Sequence, residues 1–138
     1  MIRFTAVLLA AASPAAAQVA PLSFEAGKSL EMAAGQWSYS ATPTGSESRY
    51  AGHLSVRCDR TARAVTISAP AQPAATLAVA TSALTRTLPA GGRLAASDPL
   101  LDAIAFSRGR FLVSVGGGSP IAVPSWPEAA RSIEDCRN

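Results

Sequence analysis

Residue types able to do chemistry are sparse in this chain of 138 residues. The single histidine, His53, could act as a general base, a role that needs a nucleophile within reach and a carboxylate to orient the ring. Serines and aspartates are present, yet none stands in the G-x-S-x-G context that exposes a nucleophilic hydroxyl on a sharp turn. One histidine and two cysteines also fall short of the several converging ligands that a zinc site uses. Asp98 and Asp102 are one helical turn apart, but paired-carboxylate hydrolysis wants two groups flanking a cleft from different elements. Gly27-Lys28-Ser29 matches the end of a phosphate-binding loop; Leu22 occupies the place of its first glycine, and no strand leads into it. No catalytic, metal or cofactor residue is assigned on these grounds.

The stretch "SRGRF", residues 107–111, invites a sharper question. Arg108 and Arg110 could project as a fork for a carboxylate or a phosphate. The other reading is a corner where a helix becomes a strand. Gly109 is then the left-handed residue just past the helix end, and Arg108 sits in the last turn, where a cation meets the negative end of the dipole. Arg110, Leu112 and Ser114 follow on one face of a strand, and Phe111, Val113 and Val115 on the other. The corner accounts for most of the stretch. Should a binding face exist, its candidates are Arg108 and Arg110, together with His53 and Arg57 on the polar side of another strand.

These residues need elements to hold them, and alternation supplies several. "QWSYSA", "AGHLSVRC", "AVTISA" and "TLAVAT" each alternate apolar with polar residues, the pattern of strands with one face buried. Leu54, Val56 and Cys58 share one side of the second segment, with His53, Ser55 and Arg57 on the other. "DRTAR" is short enough for a hairpin loop. "TPTGSES" (42–48), "PAQPAA" (70–75) and "LPAGGR" (88–93) read as loops from their Pro, Gly and Ser content. Two short helices are expected. The first has Asp98 as N-cap and Pro99 in its first turn, and runs to Gly109. The second opens on a capping box, Ser125 to Glu128, with Trp126, Ala129, Ala130, Ile133 and Cys136 on one apolar stripe. Trp37, Tyr39 and Trp126 read as core aromatics. The fold class is mainly β, all-β or strand-dominant α+β: a small antiparallel sandwich or partly open barrel with one inserted short helix and a C-terminal helix.

The ends speak of a compartment. "MIRFTAVLLAAASPAAAQ" has the three parts of a secretory leader: Arg3, an apolar middle from Phe4 to Ala12, and Ala15-Ala16-Ala17 at the cleavage point. Residues 1–17 are therefore expected to be removed, leaving an 18–35 lead segment and a single β-rich domain over 36–138. The apolar middle is far short of the ~20 residues of a bilayer span, and no later run approaches one. Cys58 and Cys136 are the two cysteines. In an exported chain they are expected to pair, tying the last helix to the sheet. Removal of Arg3 with the leader takes the formal net charge from +3 to +2, an excess too small for the electrostatic footprint of a nucleic-acid binder.

The leader, "LSVRCD", "DPLLDAIAFSRGRF" and the terminal "VPSWPEAARSIEDCRN" together resemble a family of small exported bacterial proteins without assigned activity, over roughly residues 36 to 138. More distantly, the layout is similar to type VI secretion-associated envelope accessory proteins. Those have a tryptophan-led first strand, an L-x-[IV]-R-C strand and a C-terminal cysteine closing a short helix, matched here by Trp37, "LSVRC" (54–58) and Cys136. The resemblance implies a fold and a compartment, not a reaction. The expectation for function is a non-enzymatic periplasmic or secreted protein that binds another envelope component, protein or polymer, with no cofactor. The alternatives are a hydrolase of an envelope polymer and an inhibitor of a wall-degrading enzyme.

Overall fold

A run of hairpins opens the domain, each strand carrying its apolar residues on alternate positions. In the computed structural model, which describes residues 10–13 and 21–138, the elements run as follows. The strands β1 (Trp37–Thr42), β2 (Gly45–Tyr50), β3 (Leu54–Asp59), β4 (Ala64–Ser68), β5 (Leu77–Ala80), β6 (Thr85–Leu88) and β7 (Arg93–Ala95) come first. Helix α1 (Pro99–Ala105), strands β8 (Arg110–Val115) and β9 (Ile121–Pro124) and helix α2 (Pro127–Asp135) complete the chain. The leader and its cleavage point, apart from residues 10–13, lie outside the described residues.

Two antiparallel sheets form, in the orders β1-β2-β3-β4-β7 and β6-β5-β8-β9. Val56 and Ile67 of the first meet Val79, Phe111, Val113 and Val123 of the second in one core, which Leu101, Ile104 and Ile133 of the helices complete. The architecture is strand-dominant and two-layered, and neither sheet closes into a barrel. Helix α2 lies over the inner face of β1, β2 and β3. Cys58 of β3 and Cys136 at the end of α2 form the expected disulfide, with Cα atoms 5.5 Å apart and both residues buried. No helix among the described residues is long and apolar enough to cross a membrane.

Four readings of the sequence need correction. "TPTGSES" is not a loop: β2 begins at Gly45, leaving Pro43 and Thr44 between β1 and β2. Its inward-facing Ser46 and Ser48 are fully buried. They bond to the hydroxyl of Ser132 at 3.2 and 2.7 Å, and Ser48 also donates to the Glu128 carbonyl at 2.5 Å. A strand facing polar groups of a helix needs no apolar side chains there, because paired hydroxyls are tolerated in a core. Three short strands, β6, β7 and β9, also fall where no alternation was legible.

The two helices differ from expectation at their ends. Asp98 caps α1 as expected, its Oδ1 accepting from the Leu100 amide at 2.9 Å. The helix then stops at Phe106, its C-cap, so Arg108 lies outside it. Gly109 has the left-handed backbone (φ +75°), but in the turn that enters β8. In α2 the capping box does not form. Trp126 is the N-cap and makes no side-chain cap bond, while the Ser125 hydroxyl donates to the Ile104 carbonyl at 3.0 Å. Pro127 in the first turn lacks the amide hydrogen that a cap would otherwise satisfy. Trp126 consequently stands 48% exposed instead of joining the buried stripe of Ala129, Ser132 and Ile133.

The lead segment is part of the packed structure from residue 21 onward. Leu22, Phe24, Leu30 and Met32 pack on Ala80, Leu112 and Ala122, covering that part of the outer face of the second sheet. The Ala33 amide donates to the Ala122 carbonyl at 2.9 Å. Gly27 lies so close to the sheet that a Cβ on it would come within 1.9 Å of Leu112 Cδ1.

Candidate functional site

The corner at 107–111 is held from every side. The Ser107 hydroxyl donates to the Arg110 carbonyl at 2.6 Å and accepts the Ser82 amide at 3.0 Å. The Arg108 amide donates to Ser82 Oγ at 3.1 Å, and the Ser125 amide to the Gly109 carbonyl at 3.1 Å. The two arginine side chains part company. Arg110 follows the alternation of β8 onto the outer face of its sheet, beside Leu112. There its Nη1 donates to the carbonyls of Leu30 at 2.5 Å and Gly27 at 3.4 Å. Those carbonyls belong to the lead segment, so Arg110 is a clamp that holds the segment down. Arg108 is exposed. The pair does not form a fork.

His53 sits in the turn between β2 and β3, just ahead of the strand on which the sequence placed it. Its Nε2 lies 3.0 Å from the Ala34 carbonyl, and its ring leans on Tyr50 with centroids 6.0 Å apart. A shallow cleft of about 250 Å³ opens beside it, with Gln72, Val113, Ser119 and Ile121 among its walls and no carboxylate. The imidazole therefore contacts a backbone carbonyl, where a general base would need a hydroxyl on one nitrogen and an orienting carboxylate on the other. Asp98 and Asp102 are likewise engaged apart from each other, Asp98 with Arg86 at 2.7 Å and Asp102 with Arg137 at 2.6 Å. The Arg86 hydrogen bond, against the opposing effect of burial, holds the Asp98 carboxyl below its ordinary pKa of 3.8. Burial resists ionisation of Asp135 too, but hydrogen bonds from Tyr39 and Ser46 and the charges of Arg60 and Arg131 outweigh it and lower its pKa. Among the described residues no group of three His, Cys, Asp or Glu converges as a metal site.

Arg57 leads to a different surface. The registers of the first sheet set Ser40, Glu47, Arg57, Thr66 and Arg93 in one row across five strands. The next row on the same face is Ser38, Arg49, Ser55 and Ser68. This is the face turned away from the core. Glu47 stands near its centre, receiving Arg49 Nε at 2.5 Å and Ser55 Oγ at 3.2 Å, with Arg57 Nε at 3.7 Å. The side chains of Arg49 and Arg57 remain 51% and 61% exposed.

No family model, curated protein or solved structure matches the chain. The surface itself must carry the reading. Of the residues singled out from sequence, Arg57 lies on this face, His53 at the turn that borders it, and Arg108 and Arg110 at the corner of the other sheet. Sequence reasoning missed Glu47, Arg49 and Arg93. Glu47 sits in and Arg49 beside the 42–48 stretch taken for a loop, and Arg93, the last residue of the 88–93 stretch also read as a loop, opens a strand of three residues.

Proposed function

We propose that this is a non-enzymatic exported protein that binds another component of the cell envelope, and that it binds through the outer face of the first sheet. The observation that carries the reading is the composition of that face. It shows Arg49, Arg57 and Arg93 among Ser38, Ser40, Thr66 and Ser68, with Glu47 and the buried Ser55 completing the rows and no large apolar residue in either. The lead segment covers the matching outer face of the second sheet over Ala80, Leu112 and Ala122, whereas Ser38, Ser40, Arg49, Arg57 and Arg93 of the first sheet are exposed. Export rests on the leader read at residues 1–17 and accords with the disulfide, a bond that persists in oxidising compartments. Arg110 is committed to backbone carbonyls, so it supports the scaffold and not the contact.

The test is capture from an envelope extract with the disulfide-intact protein as bait. Arg57→Glu with Arg93→Glu is expected to lose its partner while keeping the native circular dichroism spectrum. Arg108→Glu is expected to keep it. Retention by the folded double variant would move the binding surface elsewhere.

A further inference from the structure

Resting on that binding reading, we infer that the ligand of this face is a carboxylate-bearing polysaccharide, and that Glu47 positions the arginines that hold it. Arg49 donates its Nε to Glu47 at 2.5 Å, and Arg57 turns its Nε toward the same carboxylate at 3.7 Å, an ion pair without a hydrogen bond. Their Nη nitrogens have no hydrogen-bond partner among the described residues, so each terminal pair of donors is left for a second anion. Arg49, held by one edge, keeps its planar geometry for the next acceptor and loses less freedom on binding, and the charge of Glu47 draws Arg57 toward the centre of the face. Arg93 lies two strands from Arg57 with Thr66 between them, which puts the two Cα atoms about 10 Å apart. That separation suits two anionic groups on one extended chain better than one small anion.

The rest of the face narrows the class. Serine and threonine hydroxyls both donate and accept, as sugar hydroxyls do. A membrane surface would call for aromatic or aliphatic residues to enter the lipid, and a protein interface for buried aromatic anchors. Single-stranded nucleic acid would call for rings on which bases stack. The rows contain none of these. Alternating carboxylates and hydroxyls on a polymer fit the arginines and hydroxyls that are present.

Binding of the purified, disulfide-intact protein to fluorescent polygalacturonate tests the inference, beside neutral dextran and vesicles containing phosphatidylglycerol. Salt-sensitive binding to polygalacturonate alone is expected, weakened at least tenfold by Arg57→Gln or Arg93→Gln. Glu47→Gln is the decisive variant. It makes the face more positive, so mere attraction of charge would tighten binding, whereas loss of the positioning carboxylate weakens it. Tighter or unchanged binding by a folded Glu47→Gln protein overturns the role of Glu47. Equal binding to dextran, or stronger binding to the vesicles, overturns the polysaccharide. If polygalacturonate is not bound but the envelope capture still depends on Arg57 and Arg93, the ligand class falls and the binding reading stands. If both assays fail, both fall.

Discussion

Breaking the Cys58–Cys136 disulfide should release α2 before any other element. Besides the disulfide, the helix is held by the hydroxyls of Ser46 and Ser48 on Ser132 and the Glu128 carbonyl and by Tyr39 on Asp135, hydrogen bonds whose net contribution is about 1 kcal/mol each. Its buried residues are Ala129, Ser132 and Ile133, and a fully buried isoleucine side chain contributes about 1.5–3 kcal/mol. The disulfide joins positions 78 apart, a loop for which chain entropy gives about 4.5 kcal/mol as an upper figure. The staple thus contributes more to the stability of the whole domain than any one buried side chain of the helix does. A domain of roughly 120 residues shifts its melting temperature by about 4 °C per kcal/mol, so the loss should be several degrees and at most roughly 18 °C. Thermal melts of the native protein, the reduced protein and the Cys58→Ala/Cys136→Ala variant would read it. Hydrogen exchange should show the α2 amides losing protection while β3, β4 and β8 keep theirs. A melting temperature lowered by less than roughly 3 °C, or first loss of protection in a strand, would refute the reasoning.

Arg110→Met should uncouple the lead segment and expose residues 21–33 to proteolysis, with a loss of about 1.5–3 kcal/mol for hydrogen bonds made by a charged donor. Arg108→Met, on an exposed side chain, should stay within about 0.5 kcal/mol of the parent, with urea titration reading both variants. Gly109→Ala forces a Cβ into a left-handed conformation at φ +75° and should cost about 1–2 kcal/mol; the open space around that position rules out a steric alternative. Asp98 has a folded pKa lowered below 3.8, chiefly by the Arg86 hydrogen bond. Its contribution is therefore complete above the unfolded value and lost as pH falls through the folded one. Urea midpoints measured from pH 6 down to pH 2 should show that acid loss blunted in Asp98→Asn.

The strands with a clean apolar alternation were legible because one face of each meets the core: Val56 and Cys58, Val65 and Ile67, Leu77 and Val79 are all buried. The disulfide followed from its two cysteines. What escaped was whatever the chain settles with hydrogen bonds between distant residues. Ser46 and Ser48 look like loop residues until Ser132, more than eighty positions away, supplies their partners. Ser125 and Glu128 match a capping box by type, yet the Ser125 hydroxyl goes to Ile104. Arg110 looked like half of an anion fork because its true partners are backbone carbonyls at positions 27 and 30, which any residue can offer. Arg57 was singled out by its alternation in β3, but the face it belongs to becomes visible once Glu47 and Arg93 are set beside it by register.

The covalent ring closed by Cys58 and Cys136 has a consequence for how the molecule withstands cutting. A protease nick in the 70–76 or 116–120 loops falls inside the ring, and the two pieces remain one molecule. The exposed turn at Ala51 and Gly52 falls outside it. A single cut there detaches the lead segment, β1 and β2 from the ring, leaving them held by non-covalent contacts alone. It also divides the outer face along its middle, with Glu47 and Arg49 on one fragment and Arg57 and Arg93 on the other. The bond that keeps the 58–136 segment in one piece after a cut does not extend to the arginine-bearing surface, which is severable at one turn.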